Sequence, residues 1–230
     1  MSLMLEVKNL KKYFPVERGI FRSSRGFVKA LDGVSFKVEK ASTLGIVGRS
    51  GSGKTTLAKL LVGLIEPTQG EIIYNQRQIK NFRKEVQIIF QNPYQSLNPK
   101  MRIRDILREP LAIHCPANKK NFKNMILMTL ESVGLDEGIL RRYPVEFSGG
   151  QRQRICLARS LILRPKFLIL DEPVSSLDLT RQVEILDLLK SLKDKFSLTY
   201  IFITHNLALL KEISDSIMAI DKGRVVEQPL

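Results

Sequence analysis

The sequence predicts an α/β fold: a mainly parallel sheet flanked by helices, with an antiparallel β edge and an inserted α-helical lobe. Three observations predict it. Short apolar strands alternate with amphipathic helices before residue 66 and again after residue 149, the pattern that builds parallel sheets covered on both faces. The glycine-rich string Gly48 to Thr55 falls between one such strand and one such helix. Between about Met101 and Pro144 the apolar period becomes wholly helical.

In chain order, Leu5 to Val7 reads as a strand, as do Val34 to Val38, with period-2 alternation, and Thr43 to Val47. The basic, glycine-bearing stretch Pro15 to Lys29 reads as a surface loop. Over residues 54–65, Leu57, Leu60, Leu61 and Leu64 recur at helical spacing, and Pro67 stops the run. Ile88 to Phe90 is an apolar strand. Phe122, Met125, Ile126, Leu130 and Val133 share one helical face, the mark of the lobe. A helix then runs from Gly149 toward Pro165, followed by strand Phe167 to Leu170 and a helix near Arg181 to Lys193. The strand Tyr200 to Thr204 and two short strands near Ile217 and Val225 close the pattern. The expected organisation is one domain over 1–230: an α/β core with an N-terminal β subdomain at 4–90 and 160–230, and a helical lobe at about 91–159.

Composition bounds the function classes. At 230 residues and 43% apolar content, the chain suits one well-cored domain with an inserted lobe. No stretch approaches the roughly 18 consecutive apolar residues of a spanning helix, so any membrane crossing is expected from another chain. Met1 to Leu10 carries Glu6 and Lys8 among short apolar pairs, unlike a signal peptide. Cys115 and Cys156 are far apart without C-x-x-C spacing, which fits a reducing setting and space-filling thiols rather than a metal cluster. The net charge of +14 is scattered, so a basic face toward acidic lipid is ranked above nucleic-acid binding.

Gly48-Arg49-Ser50-Gly51-Ser52-Gly53-Lys54-Thr55 fits G-x-x-x-x-G-K-[ST], and Thr56 continues it into the helix. Glycines let the backbone wrap a phosphate so that successive N–H groups face the anion, and the helix start adds its dipole. Lys54 is expected to reach the β- and γ-phosphates, and the Thr55 hydroxyl to ligate Mg²⁺. Phe167-Leu168-Ile169-Leu170-Asp171-Glu172 is an apolar strand delivering two carboxylates at its C-terminal end, where open α/β sheets place ligands. Asp171 suits Mg²⁺, and Glu172 suits the water that attacks the γ-phosphate. Together these elements indicate a P-loop NTPase.

Ser148-Gly149-Gly150-Gln151 opens a second helix with an anion-binding look. Alone it is an ordinary cap. Just before the Asp-Glu strand, it resembles the L-S-G-G-Q signature of the ATP-binding cassette (ABC) family, with Phe147 for the leading Leu. Three more residues follow the family order. Gln91 resembles the Q-loop glutamine, which senses Mg²⁺ and water; Asp178, in Ser176-Leu177-Asp178, resembles the D-loop; and His205 resembles the switch histidine. Asn206 stands where the family usually has Asp. Tyr13, or else its neighbour Phe14, matches the aromatic residue that stacks on adenine.

The resemblance covers essentially the whole chain and implies an ATPase using ATP and Mg²⁺. It further implies a second ABC ATPase subunit as partner, with each ATP held between one subunit's phosphate loop and the other's Ser148-Gly149-Gly150. Membrane-spanning permease subunits, a solute-binding protein acting indirectly, and a place on the cytoplasmic face of the cell membrane are expected with it. The stretches 15–19 with 28–36, and 90–99, resemble the oligopeptide/dipeptide/nickel importer ATPases. Arg49 and Ala41-Ser42 depart from that branch, and the sequence ends at Leu230, where many of its members carry a C-terminal extension. The alternatives are a soluble ABC ATPase acting on nucleic acid or ribosomes, an exporter subunit, and a P-loop kinase. Sustained heptads or zinc modules, a fused membrane domain, and a lack of the S-G-G-Q series would mark them in turn.

Overall fold

The computed structural model describes residues 2–16, 26–91 and 96–227. They fall into two compact units, Met1–Ile79 with Thr199–Leu230, and Lys80–Leu198.

The first unit carries two groups of strands. In one, β1 (Leu3–Val16) pairs antiparallel with both β2 (Gly26–Glu39) and β4 (Gln69–Tyr74). Leu5, Val7, Leu10, Leu31 and Val34 are buried there. The expected loop at Pro15 to Lys29 is corrected at both ends. Pro15 pairs with Phe27 and Val16 with Gly26, so both strands run on, while residues 17–25 lie outside the described residues. Phe27 and Val28 are exposed in this ribbon. Its pairing rests on backbone hydrogen bonds and leaves no burial period for a sequence to display.

In the other group, β3 (Thr43–Val47) lies between β7 (Thr199–Thr204) and β8 (Ser216–Asp221), parallel to both. The edge strand β9 (Arg224–Glu227) returns antiparallel through Lys222 and Gly223, both at positive φ as a two-residue I′ hairpin requires. A Cβ on Gly45 would lie 2.4 Å from the Ser214 hydroxyl and 3.0 Å from a Leu210 methyl. Glycine there lets the segment after β7 press directly on the strand.

Helix α1 (Lys54–Leu61) buries Leu57, Ala58, Leu60 and Leu61. It stops short of the expected residue 65. Gly63 takes φ +66, its N–H bonds the Leu60 carbonyl, and the Leu64 N–H bonds that of Lys59. This Schellman closure turns Leu64 out to solvent despite its helical spacing.

In the second unit, α2 (Phe82–Glu85) leads into β5 (Val86–Ile89), which runs parallel to the fully buried β6 (Phe167–Asp171). Helices α3 (Ile103–His114), α4 (Phe122–Ser132) and α5 (Gly149–Leu161) pack on one another, and α5 also meets β5 and α6 (Leu179–Phe196). Phe122, Ile126, Leu130 and Val133 are buried as their spacing predicts. No helix among the described residues is long and apolar enough to cross a membrane. Both cysteines are free.

Candidate functional site

In the first unit, β3 brings Gly48 to the C-terminal edge of a central parallel strand. The loop from Gly48 to Gly53 then folds over its own lysine. Lys54 is buried, and its ammonium donates to the carbonyls of Gly48 (2.7 Å) and Arg49 (2.9 Å). Two glycines are compelled by packing. A Cβ on Gly48 would lie 2.2 Å from the Ile220 carbonyl, and one on Gly53 (φ +108) 2.3 Å from that of Ala30. Gly51 is open but takes φ +77. The Ser52 carbonyl accepts from the Gly223 N–H at 3.0 Å, so the β8–β9 hairpin braces the loop.

This cradle fits a phosphate chain. The Ser52 hydroxyl is buried, and nothing among the described residues hydrogen-bonds it. The start of α1 has no side-chain cap. A buried hydroxyl and uncapped helix N–H groups beside a lysine ammonium are an anion's complement. Arg49, Ser50 and Thr55 are exposed, and Thr56 is half-buried.

Tyr13 lies on β1, its N–H bonded to the Thr68 hydroxyl. Its own hydroxyl donates to Asp32 Oδ1 at 2.5 Å, and the Lys29 ammonium stands 5.3 Å from the ring centre. The hydrogen bond to the Asp32 carboxylate raises the phenol pKa, and the Tyr13 hydroxyl and then Arg224 hold the Asp32 carboxyl down to about 2. Phe14, the alternative, is exposed beneath Lys12. His205 is exposed at the end of β7. Asn206 there caps α7 (Leu207–Ile213) by accepting from the Ala208 N–H at 2.9 Å.

In the second unit, β6 delivers Asp171, 2% exposed, and then Glu172. Glu172 takes φ +50, a left-handed backbone rare outside glycine and stored where function repays it. The Ser175 N–H and hydroxyl both donate to its carbonyl. Gln182 donates to the carbonyls of Val174 and Leu177, pinning the same turn. Asp178 caps α6 by accepting from the Arg181 N–H at 3.1 Å. Gln91 is exposed two residues after β5; Asn92 to Gln95, within the importer-like stretch, lie outside the described residues.

Ser148 and Gln151 form a reciprocal capping box at the start of α5. Gly149 and Gly150 need no glycine conformation. A Cβ at 149 would rest 3.4 Å from a Leu177 methyl, and one at 150 would rest 3.5 Å from Arg181 Cδ, both ordinary contacts. Nothing among the described residues demands glycine at either place.

The brace on the phosphate loop from Gly223 and Ala30 and the left-handed Glu172 escaped the sequence reading. The brace depends on a partner far along the chain and the Glu172 turn on Ser175 and Gln182 contacts that form only once it closes, and only the positive-φ preference of Gly223 left a local trace.

A parallel-stranded α/β core with a lysine-closed phosphate loop and an Asp-Glu strand end defines a P-loop nucleoside triphosphatase. A family model described as ABC transporter matches residues 31–175. Oligopeptide transport ATP-binding protein AppF of Bacillus subtilis is 42% identical over 97% of this chain and 71% of its own length. Dipeptide transport ATP-binding protein DppF of Haemophilus influenzae is 45% identical over 98% and 71%. Among solved structures, cbiO1 from Clostridium perfringens, part of the ABC transporter complex cbiONQ, matches with a TM-score of 0.80 at 25% identity, covering 99% of this chain and 88% of cbiO1. The ATP-binding cassette MJ0796, dimeric and bound to ADP and Pi in a post-hydrolysis state, matches at 0.81 and 25%, covering 98% of each chain. The chain belongs to the ABC transporter family, as an ATPase subunit. The nucleic-acid and ribosome alternative finds no support among these relatives.

Proposed function

We propose that the chain powers peptide import through membrane-spanning permease partners, from the cytoplasmic face of the cell membrane, as one of two paired ATPase subunits. The observation that carries the pairing is the glycine pair of the α5 cap. Gly149 and Gly150 leave room that the described residues do not fill, at a helix start suited to an anion. The phosphates of a nucleotide on the partner's loop would occupy it. The peptide solute rests on the relatives' names, which are transport proteins for oligopeptides and dipeptides at 42–45% identity. A solute-binding protein would deliver the peptide to the permease. The 4–90 and 160–230 core and the 91–159 lobe are the proposed division of labour between nucleotide and partner.

In this reading the backbone of Gly48, Arg49, Ser50, Gly51, Ser52 and Gly53 cradles the phosphates, and Lys54 turns from its loop carbonyls toward the β- and γ-oxygens. Thr56 continues the cradle at the helix start. Tyr13 stacks on the base. Thr55, Gln91 and Asp171 offer oxygen ligands only, the donor set that suits Mg²⁺. That ion supplies charge neutralisation on the phosphate oxygens. Glu172 accepts a proton from the attacking water, and His205 donates a hydrogen bond to the γ-phosphate. Ser148 and Gln151 hold the cap in shape, and Asp178 holds the turn that meets the partner.

Glu172→Gln removes the base and leaves the binding groups. The variant should bind ATP, hydrolyse it at least about 100-fold more slowly, and shift to a dimer on size exclusion only with ATP. Wild-type turnover in this variant would remove Glu172 from the role. A variant that binds ATP yet stays monomeric would leave the nucleotide site standing and refute self-pairing.

A further inference from the structure

Tyr13 is held by a carboxylate that belongs to no phosphate-loop motif. Asp32, on β2, is 11% exposed at its side chain and collects three cationic or polar donors. Tyr13 donates its hydroxyl to Oδ1, Arg224 donates to Oδ2 at 2.7 Å, and the Lys29 ammonium lies 3.7 Å away. The main chain of Asp32 is fixed as well. Its N–H donates to the Gly223 carbonyl at 2.8 Å, and the Gly223 N–H donates to the Ser52 carbonyl at 3.0 Å. One residue therefore touches the phosphate-loop brace with its backbone and the aromatic strand with its side chain.

We propose that Asp32 is a positioning residue of the nucleotide site, setting the plane of the Tyr13 ring against which the base stacks. This rests on the reading that Tyr13 is the stacking aromatic. A tyrosine ring has two soft torsions, and tying its far end to a fixed carboxylate removes most of that freedom before the base arrives. Lys29 stands over one face of the ring, 5.3 Å from its centre. The anchor also separates Tyr13 from Phe14, because a phenylalanine has no hydroxyl to tie. Asp32 acts through Tyr13 and touches no phosphate, so its loss should be felt by a ligand with a base and not by one without.

The test is equilibrium binding of ATP and of inorganic tripolyphosphate to the full chain, in wild type, Tyr13→Phe, Asp32→Asn, the double variant and Tyr13→Ala. Tyr13→Phe and Asp32→Asn should each weaken ATP binding about three- to ten-fold, the scale of one charge-assisted hydrogen bond at a partly wet site. The double variant should be no weaker than the worse single one, and tripolyphosphate should bind all of them as it binds wild type. Tyr13→Phe removes one oxygen from a half-exposed ring and so reads the same contact even where Asp32→Asn folds poorly. Wild-type ATP affinity in both Tyr13→Phe and Asp32→Asn, with Tyr13→Ala weakened, overturns the role of Asp32 and spares the stacking. Wild-type ATP affinity in Tyr13→Ala overturns the stacking itself. Equal loss of both ligands in a folded Asp32→Asn would mean that Asp32 holds the loop and not the ring, and also overturns the proposal.

Discussion

Replacing Gly150 or Gly149 with alanine should separate folding from turnover. The added methyl would meet Arg181 Cδ at 3.5 Å in one case and a Leu177 methyl at 3.4 Å in the other, neither of which has to move. Both positions have helical backbone in the first turn of α5, where alanine removes conformational freedom from the unfolded chain. That is worth about 0.4–1 kcal/mol, taken at the low end at a helix terminus. For a chain of this size the gain corresponds to a Tm higher by about 1–4 °C. Turnover should move the other way. In the proposed pairing, a methyl here would displace the phosphates on a neighbouring subunit by about 1 Å, and misplacement on that scale costs about 100-fold in rate. Thermal melting and steady-state ATP hydrolysis on the same preparation measure both effects. A variant with an unchanged or raised Tm and wild-type turnover would refute the claim that the glycines are kept free for a partner. A Tm lowered by more than about 5 °C would refute the intrachain geometry instead.

Two further outcomes follow from the same geometry. Gly48→Ala drives a methyl to 2.2 Å from the Ile220 carbonyl, so the loop must open by about 1 Å. Melting should fall by several degrees and ATP binding should be lost, whereas Gly51→Ala, with nothing within 4 Å, should cost only its left-handed backbone, about 1–2 kcal/mol. Asp32, held at about 2 against an ordinary 3.8, contributes stability that is present above pH 4 and lost as pH falls toward 2. Asp32→Asn should therefore flatten the fall of Tm between pH 4 and 2.5, and an unchanged slope would show that the carboxyl is not held down.

The sequence made the phosphate loop readable because its motif is local: a strand, spaced glycines, a lysine and a helix start. The α5 cap and the Asp171–Glu172 strand end were readable for the same reason. The residues that hold these parts in place were not. Asp32 and Arg224 are separated by 192 positions, and no period in either segment announces their ion pair. Glu172 carries no sign of its left-handed backbone, since the Ser175 and Gln182 contacts that sustain it form only in the finished turn. The early stop of α1 was present in the sequence as Gly63, but the spacing of Leu64 outweighed it. Long pairing between β1 and β2 lacked any signal, because its outer residues are polar or exposed on both faces.

The strand that carries the phosphate loop waits for its neighbours. β3 is complete at Val47, yet the strands hydrogen-bonded to either side of it begin at Thr199 and Ser216. On a ribosome adding about 5–20 residues per second, the interval is roughly 10–30 seconds. The second unit, by contrast, is one unbroken stretch from Lys80 to Leu198 and is fully synthesised before the first has its missing strands. A nascent chain therefore holds Gly48 to Thr55 out of its sheet until β7 and β8 have been made. The loop gains its brace later still, when the hairpin that ends in β9 closes behind Ser52.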